Sequence, residues 1–301
     1  MCSSDLASIE ANKISGSNWF GIGLSNGVHC RVADNRISEG GVGIWLNLES
    51  APTLVGNLIS RMQSSGLVCA GCIDGVTCAH NQVAWSSYGG FPLRLVGLAG
   101  SAAENLLGIG LVVYGSDGLI TIESCNVVGT GRSGPEDQAT VFSQSTYQIA
   151  SLSSGNSRLH SNTTIEASGL VGDEPHAALV VSQSGRKVDE WQSVELTDNN
   201  VNGMGSPLVV AQSTGDLSFS NNRCAHTPVV GQPPVSTVQL TGQRRVGLVG
   251  NMIRAIDGAV PSLTITSPFV SAVGNITTGA WSVSGTVLPT PFAQFNQVGV
   301  S

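Results

Sequence analysis

Two stretches of this chain gather the residue types that acid–base chemistry needs. The first lies within Gly129 to Ser154 and carries Glu136 and Asp137. The second lies within Gly169 to Gln192 and carries Asp173, Glu174, His176 and Asp189, with Arg186 and Lys187 between them. Two carboxyl groups facing one another can protonate a leaving oxygen and activate a water across a glycosidic bond. Carboxylates can also hold Ca²⁺ while a Lys or Arg removes a proton. These five acids and His176 are the catalytic candidates. Arg186, Lys187, Trp191 and Trp45 are the ligand-contact candidates, because an indole face can stack on a sugar ring. Polar residues are also what any exposed loop contains, so ligand contact is the better-founded expectation. The mid-coil acidic residues Asp34, Glu49, Asp74, Glu123, Asp198 and Asp216 are scattered, which places them on solvated turns and exposed strand faces.

The elements that must position these residues are short strands. Charged residues are 11% of 301 and Gly is 38 of 301, while hydrophobic residues reach 41%. That composition leaves ample apolar side chains for a core, so disorder does not explain the low charge. Abundant Gly, Ser, Asn and Val suit strands and tight turns, and no helix longer than a turn or two is expected. The net charge of −7, with 13 basic residues and no basic run, argues against a nucleic-acid partner or an anionic membrane surface. No apolar stretch has the length of a membrane-spanning helix.

Periodicity organises the chain. The pattern is an apolar residue, two variable residues, Asn, one variable residue, and an apolar residue: Ile9…Asn12…Ile14, Val32…Asn35…Ile37 and Leu54…Asn57…Ile59. It returns at Asn81, Asn162, Asn199, Asn222, Asn251 and Asn275, and Cys125 takes the Asn slot between Ile122 and Val127. Successive markers are 23, 22, 24, 44, 37, 37, 23, 29 and 24 residues apart. The 44 reads as two coils, one of which has lost its marker around Ala102 to Leu107. A glycine column at Gly21, Gly43, Gly66 and Gly108 runs beside the first. A coil of about 22 residues cannot bury its own apolar side chains, so coils stack at roughly the 4.8 Å spacing of paired strands. Like residues then form ladders, with the asparagine amides bonded along the stack and tolerating the left-handed backbone of a sharp turn. The expected architecture is all-β, a single right-handed parallel β-helix of about 10–11 coils.

The steps of 37 leave residues that must loop out within 129–154 and 169–192, where one wall of loops could form beside the rod; a smaller excursion falls at Thr227 to Ser236. Residues 7–278 are the expected solenoid. Residues 279–301, with Pro289, Pro291, Phe292 and Phe295, are the expected cap over the last coil. The opening Met1-Cys2-Ser3-Ser4-Asp5-Leu6 is what GTG-TGC-TCT-TCC-GAT-CT encodes with GTG as start, a string like the end of a sequencing adapter. Residues 1–6 are therefore expected to be an artefact, with the natural protein continuing upstream of Ala7.

Cys69-Ala-Gly-Cys72 with Cys78 suggests zinc or redox chemistry, but no second pair or paired His completes a tetrahedral site. The repeat places Cys69 with Leu24 and Leu46, Cys78 with Leu54, Cys30 with Val76, and Cys224 with Ile253. All are core slots that a buried thiol fills well. No metal and no cofactor is expected. The sequons at Asn162 and Asn275 fall on ladder positions, where burial would prevent glycosylation. Trp19, Trp45 and Trp85 fall early in the chain, and Trp45, following an inward Ile44, should face outward.

The Asn-x-apolar ladder resembles that of the pectin lyase-like right-handed β-helix superfamily over roughly Ser8 to Thr278. The ending Val273-Gly-Asn-Ile-Thr-Thr-Gly279, followed by Leu288-Pro and Pro291-Phe, is similar to β-helix proteins of phage-tail-like contractile injection systems. The resemblance implies the fold and not one activity. The Asp-Asp pair, Gly-His-Gly and Arg-Ile-Lys of polygalacturonases and the Trp-Ile-Asp-His of pectate lyases do not occur here. The expectation is therefore a non-catalytic structural or adhesive β-helix of a bacterial surface or phage-tail-like assembly, extracellular or particle-associated. It would bind a polysaccharide or a protein partner, with a homotrimer as its expected oligomer. The alternative is a polysaccharide lyase or glycoside hydrolase with its site on the 129–154 and 169–192 loops.

Overall fold

The structure, a computed structural model, describes residues 7–86, 93–95, 104–129, 145–165, 176–183, 192–203, 207–226, 236–255, 261–287 and 296–298. Each repeat unit forms three short strands, and each strand pairs in parallel with its counterpart one coil further on. Strands such as Val42–Asn47, Leu67–Ala70 and Val209–Ser213 make the first face. Strands such as Thr53–Val55, Val76–Ala79 and Asp216–Ser220 make the second. An 11-stranded stack, from Lys13–Ser15 to Gln297–Val298, makes the third. Eleven strands at roughly 4.8 Å per step give a rod about 50 Å long.

Period-2 alternation decides what fills it. Three residues before the ladder, Ile9, Val32, Leu54, Cys78, Ile122, Leu159, Leu196, Phe219, Leu248 and Ala272 stand in one file. Two residues after it, Ile37, Ile59, Val83, Val127, Val201, Cys224 and Ile253 make a second file, and all are buried. Between the files runs the ladder. The side-chain amide of Asn35 donates to Oδ1 of Asn57 at 3.0 Å and to the carbonyl of Ile9 at 2.8 Å, and the backbone N–H of Asn35 also reaches Oδ1 of Asn57 at 3.2 Å. Asn57 repeats this toward Asn81, and the set recurs from Asn162 to Asn199, Asn222, Asn251 and Asn275. Each buried carboxamide between two others thus uses both of its donors and accepts twice at Oδ1. Unmade bonds there would leave a costly buried amide in every coil.

Several expectations change. The left-handed residue is not the ladder Asn but the one before it: Ala11, Asp34, Gly56, His80, Ser124, Ser161, Asp198, Asn221, Gly250 and Gly274 all have φ between 50° and 67°. This leaves the Asn free to point inward while its predecessor makes the sharp bend. The 44-residue step is one coil, not two. Val76–Ala79 pairs directly with Leu119–Glu123, and Gln82–Ala84 with Asn126–Val128. A coil needs a strand on each face, and of the intervening residues Leu93–Leu95 pairs antiparallel with residues 104–106 instead. The glycine column shifts with it. Leu67 pairs with Leu111, so Gly66 meets Gly110, and a Cβ on Gly66 would lie 2.5 Å from the Gly110 carbonyl oxygen.

The excursions are also redistributed. Ser145–Ser154 is a strand within the first expected insertion, and His176–Gln183 is one within the second. Stacking continues past Thr278. Trp281–Val287 pairs in parallel with Leu263–Val273, and Gln297–Val298 with Ile276–Thr277. Asn275 donates to Oδ1 of Asn296 at 2.9 Å, making Asn296 an eleventh ladder position. Its marker stands in the sequence as Ala293…Asn296…Val298, 21 residues beyond Asn275.

Candidate functional site

Of the sequence-derived candidates, Glu136, Asp137, Asp173, Glu174, Asp189, Arg186, Lys187 and Trp191 lie outside the described residues. His176 opens a first-face strand with its backbone beside Thr146. Trp45 does face outward, yet it is only partly exposed. Its ring centroid lies 5.6 Å from that of Phe20, tilted by 33°. It also begins an outward file of Trp45, Val68, Val112, Ala150, Val180 and Val210. Val68, Val112 and Ala150 in that file are fully buried within the single chain. The exposed large apolar residues, among them Ile73, Trp85, Met252 and Phe269, are scattered round the rod.

The thiols occupy the positions the repeat assigns. Cys69 pairs with Leu46, Cys78 with Leu54 and Cys224 with Ile253, and all six described cysteines are buried and free. Burial pushes the Cys30, Cys125 and Cys224 thiols up to about 12; the carboxylate of Glu49 adds to the effect at Cys30 and Cys78 adds to it at Cys125. Cys69 is raised by its contacts with Cys72 and Cys78, and by burial. Among the described residues, no three His, Cys, Asp or Glu side chains are placed to hold a metal ion. Glu49 is a correction to the expected pattern of solvated acids. It is fully buried at the corner between the first and second faces, and neither carboxylate oxygen has a hydrogen-bond partner. It stacks between Gly27 and Cys72, and the absence of a side chain on Gly27 gives it room: a Cβ there would clash with Oε2. Asp34, Asp74 and Asp198 are exposed, as expected.

A different corner supplies the best-formed site. Four residues after the ladder, where the third face ends, Gly16, Glu39, Arg61, Trp85 and Gly129 all take positive φ, from 55° to 71°. A left-handed residue there turns its side chain outward, so Glu39, Arg61 and Trp85 emerge from three consecutive coils. Oε1 of Glu39 accepts a hydrogen bond from Arg61 at 3.3 Å, and both side chains stay mostly exposed. Trp85 is 53% exposed. Its six-membered ring lies over Gly129, where a Cβ would come within 2.9 Å of Cε3. Together with Gln63, these residues line a recess of about 600 Å³, within the size range of small-molecule sites. It offers an aromatic face, a guanidinium, a carboxylate and an amide, a set that can stack on a ring while bonding hydroxyl groups. None of these was a ligand-contact candidate from the sequence, where Trp85 stood only as one of three early tryptophans. The signal for them was their common offset: Glu39, Arg61 and Trp85 each follow a ladder Asn by four residues, and Gln63 follows Asn57 by six.

A family described as the right-handed β-helix region matches residues 1–93. No curated protein and no solved structure matches the chain. With the parallel pairings and the asparagine ladder, the match identifies the architecture as a single right-handed parallel β-helix.

Proposed function

We propose that this β-helix repeat protein is a non-catalytic adhesive rod of a bacterial surface or phage-tail-like assembly, and that it binds carbohydrate in the recess beside Trp85. The observation that carries the reading is the half-exposed indole of Trp85 set beside the Glu39–Arg61 pair and Gln63 in one recess. An amphipathic ring on a rigid corner, ringed by donors and acceptors, is chemistry that suits a pyranose. Glu39 is the one carboxylate among the described residues that line this recess, and it is engaged by Arg61. Glycoside hydrolysis generally calls for two carboxyl groups across the bond, so binding is the better-supported role for this site. The test is a titration of the whole chain with a panel of oligosaccharides, read by intrinsic tryptophan fluorescence and by calorimetry. Binding that disappears in Trp85→Ala supports the reading. Binding unchanged by Trp85→Ala, or release of reducing ends from any member of the panel, overturns it.

A further inference from the structure

A second recess lies several coils further along, on the outward side of the second face. Two files of residues run across the coils there. Asp216, Arg245 and Phe269 pair in one, and Glu195, Ser218, Gly247 and Ser271 pair in the other. Because the strand period is two, both files point the same way, out from the core. Gly247 leaves a trough in the second file; a Cβ on it would meet only Ser271 Oγ, at 3.6 Å. Glu195 stands at one end of the trough, held by Arg158 of the preceding coil at 3.2 Å. Phe269, 49% exposed, stands along its side. Two adjoining recesses of about 340 and 320 Å³ share Asp216 and Arg245 as lining.

The bonding at Asp216 is unbalanced. Oδ2 lies 3.7 Å from Arg245 Nη2, too long for a good hydrogen bond, and Oδ1 is buried with no hydrogen-bond partner. The Asp216 side chain is 40% exposed, so Oδ2 is the oxygen that can take a donor from outside, and a hydroxyl entering the trough supplies it. Around it stand Arg244 and Arg245 as further donors and the hydroxyls of Ser218 and Ser271. Glu195 and Asp216 disfavour an anion, and the arginines disfavour a cation.

From this we infer that the trough over Gly247 is a second carbohydrate subsite that takes one neutral pyranose. The sugar's C–H face lies on Phe269, one hydroxyl donates to Oδ2 of Asp216, and neighbouring hydroxyl oxygens accept from Arg245. The subsite does not depend on the Trp85 recess, which lies at a different corner of earlier coils.

The experiment uses the full chain and four neutral trisaccharides (cellotriose, maltotriose, mannotriose and chitotriose), read by saturation-transfer NMR with affinities from titration. The expected result is that at least one gives transfer in the Trp85→Ala background. Its affinity there falls about tenfold or more, equal to about 1.4 kcal/mol, in Gly247→Leu, which fills the trough, and in Phe269→Ala, which removes the platform. Unchanged melting of Phe269→Ala guards against misfolding as the cause of loss. No transfer from any trisaccharide in the Trp85→Ala background overturns the subsite, as does transfer indifferent to both trough variants. If wild-type binding depends wholly on Trp85, the trough proposal falls and the first recess stands.

Discussion

The backbone N–H of Cys125 donates to Oδ1 of Asn162 at 3.0 Å, as the N–H of each ladder asparagine that has another asparagine in the next coil does. Its Sγ lies 3.5 Å from the Cys78 carbonyl oxygen, the kind of position an asparagine amide reaches in other coils. From below, the Asn81 amide keeps its bond to the Leu54 carbonyl at 2.9 Å, but in the coil above it meets only that sulfur, at 3.9 Å. Cysteine therefore keeps the backbone half of the ladder and replaces the strong amide bonds with weak sulfur contacts.

Restoring the amide should strengthen the stack. Cys125→Asn is expected to add roughly 1–2 kcal/mol, the value of one or two good hydrogen bonds, while Asn222→Ala should cost at least that much by leaving neighbouring amides unpaired. Urea unfolding of the three proteins measures the differences; a Cys125→Asn variant less stable than the parent would contradict the account of the ladder.

Backbone strain at His80 (φ 54°) and close packing at Gly66 offer two independent checks. His80→Gly removes a side chain from a left-handed position and should gain about 0.5–1 kcal/mol. Gly66→Ala should lose roughly 1–3 kcal/mol or more through overpacking, since its Cβ would sit 2.3 Å from a Val83 methyl and 2.5 Å from the Gly110 carbonyl oxygen. Thermal melts that move in opposite directions confirm the strained turn at His80 and the tight packing at Gly66.

Alkaline pH should weaken the fold. Cys224 has its thiol raised from the ordinary 9.0 to about 12 by burial, and the thiols of Cys30 and Cys125 are raised to about 12 as well. A raised value favours the folded state fully below about 9, where thiols of the unfolded chain remain protonated. Stability is lost as pH climbs from about 9 toward 12, because the unfolded thiols ionise first. Melting temperature across that range should fall more steeply than in a Cys224→Val variant. Iodoacetamide at pH 8 should label these three thiols only after denaturation.

At the Trp85 recess, Trp85→Phe should keep part of the binding and Trp85→Ala should abolish it. Arg61→Met, which retains the stem but not the donors, should weaken binding by about tenfold, the value of one charge-assisted hydrogen bond. Calorimetry with the best oligosaccharide of the panel gives the ratios. Equal affinity for Arg61→Met and the parent would remove Arg61 from the site.

What the amino-acid sequence determined by itself is the part of the fold that repeats. Ile9, Val32 and Leu54, each three residues before an Asn, carry the whole ladder, because stacking one coil on another converts a spacing along the chain into a file in space. The same logic placed Cys69, Cys78 and Cys224 in the core and Cys125 in the amide column. Wherever the period broke, only the tertiary structure decided. Between Ala84 and Asn126 the pattern of residues does not by itself distinguish one wide coil from two narrow ones, and it is the direct pairing of Cys78 with Ile122 that does so. The burial of Glu49 was not legible because it depends on Gly27, a residue one coil away whose missing side chain makes the room. The recess at Trp85 is of the same kind. Glu39, Arg61 and Trp85 are 22 and 24 residues apart in the chain, and they become neighbours because parallel coils bring equal offsets from the ladder to one corner.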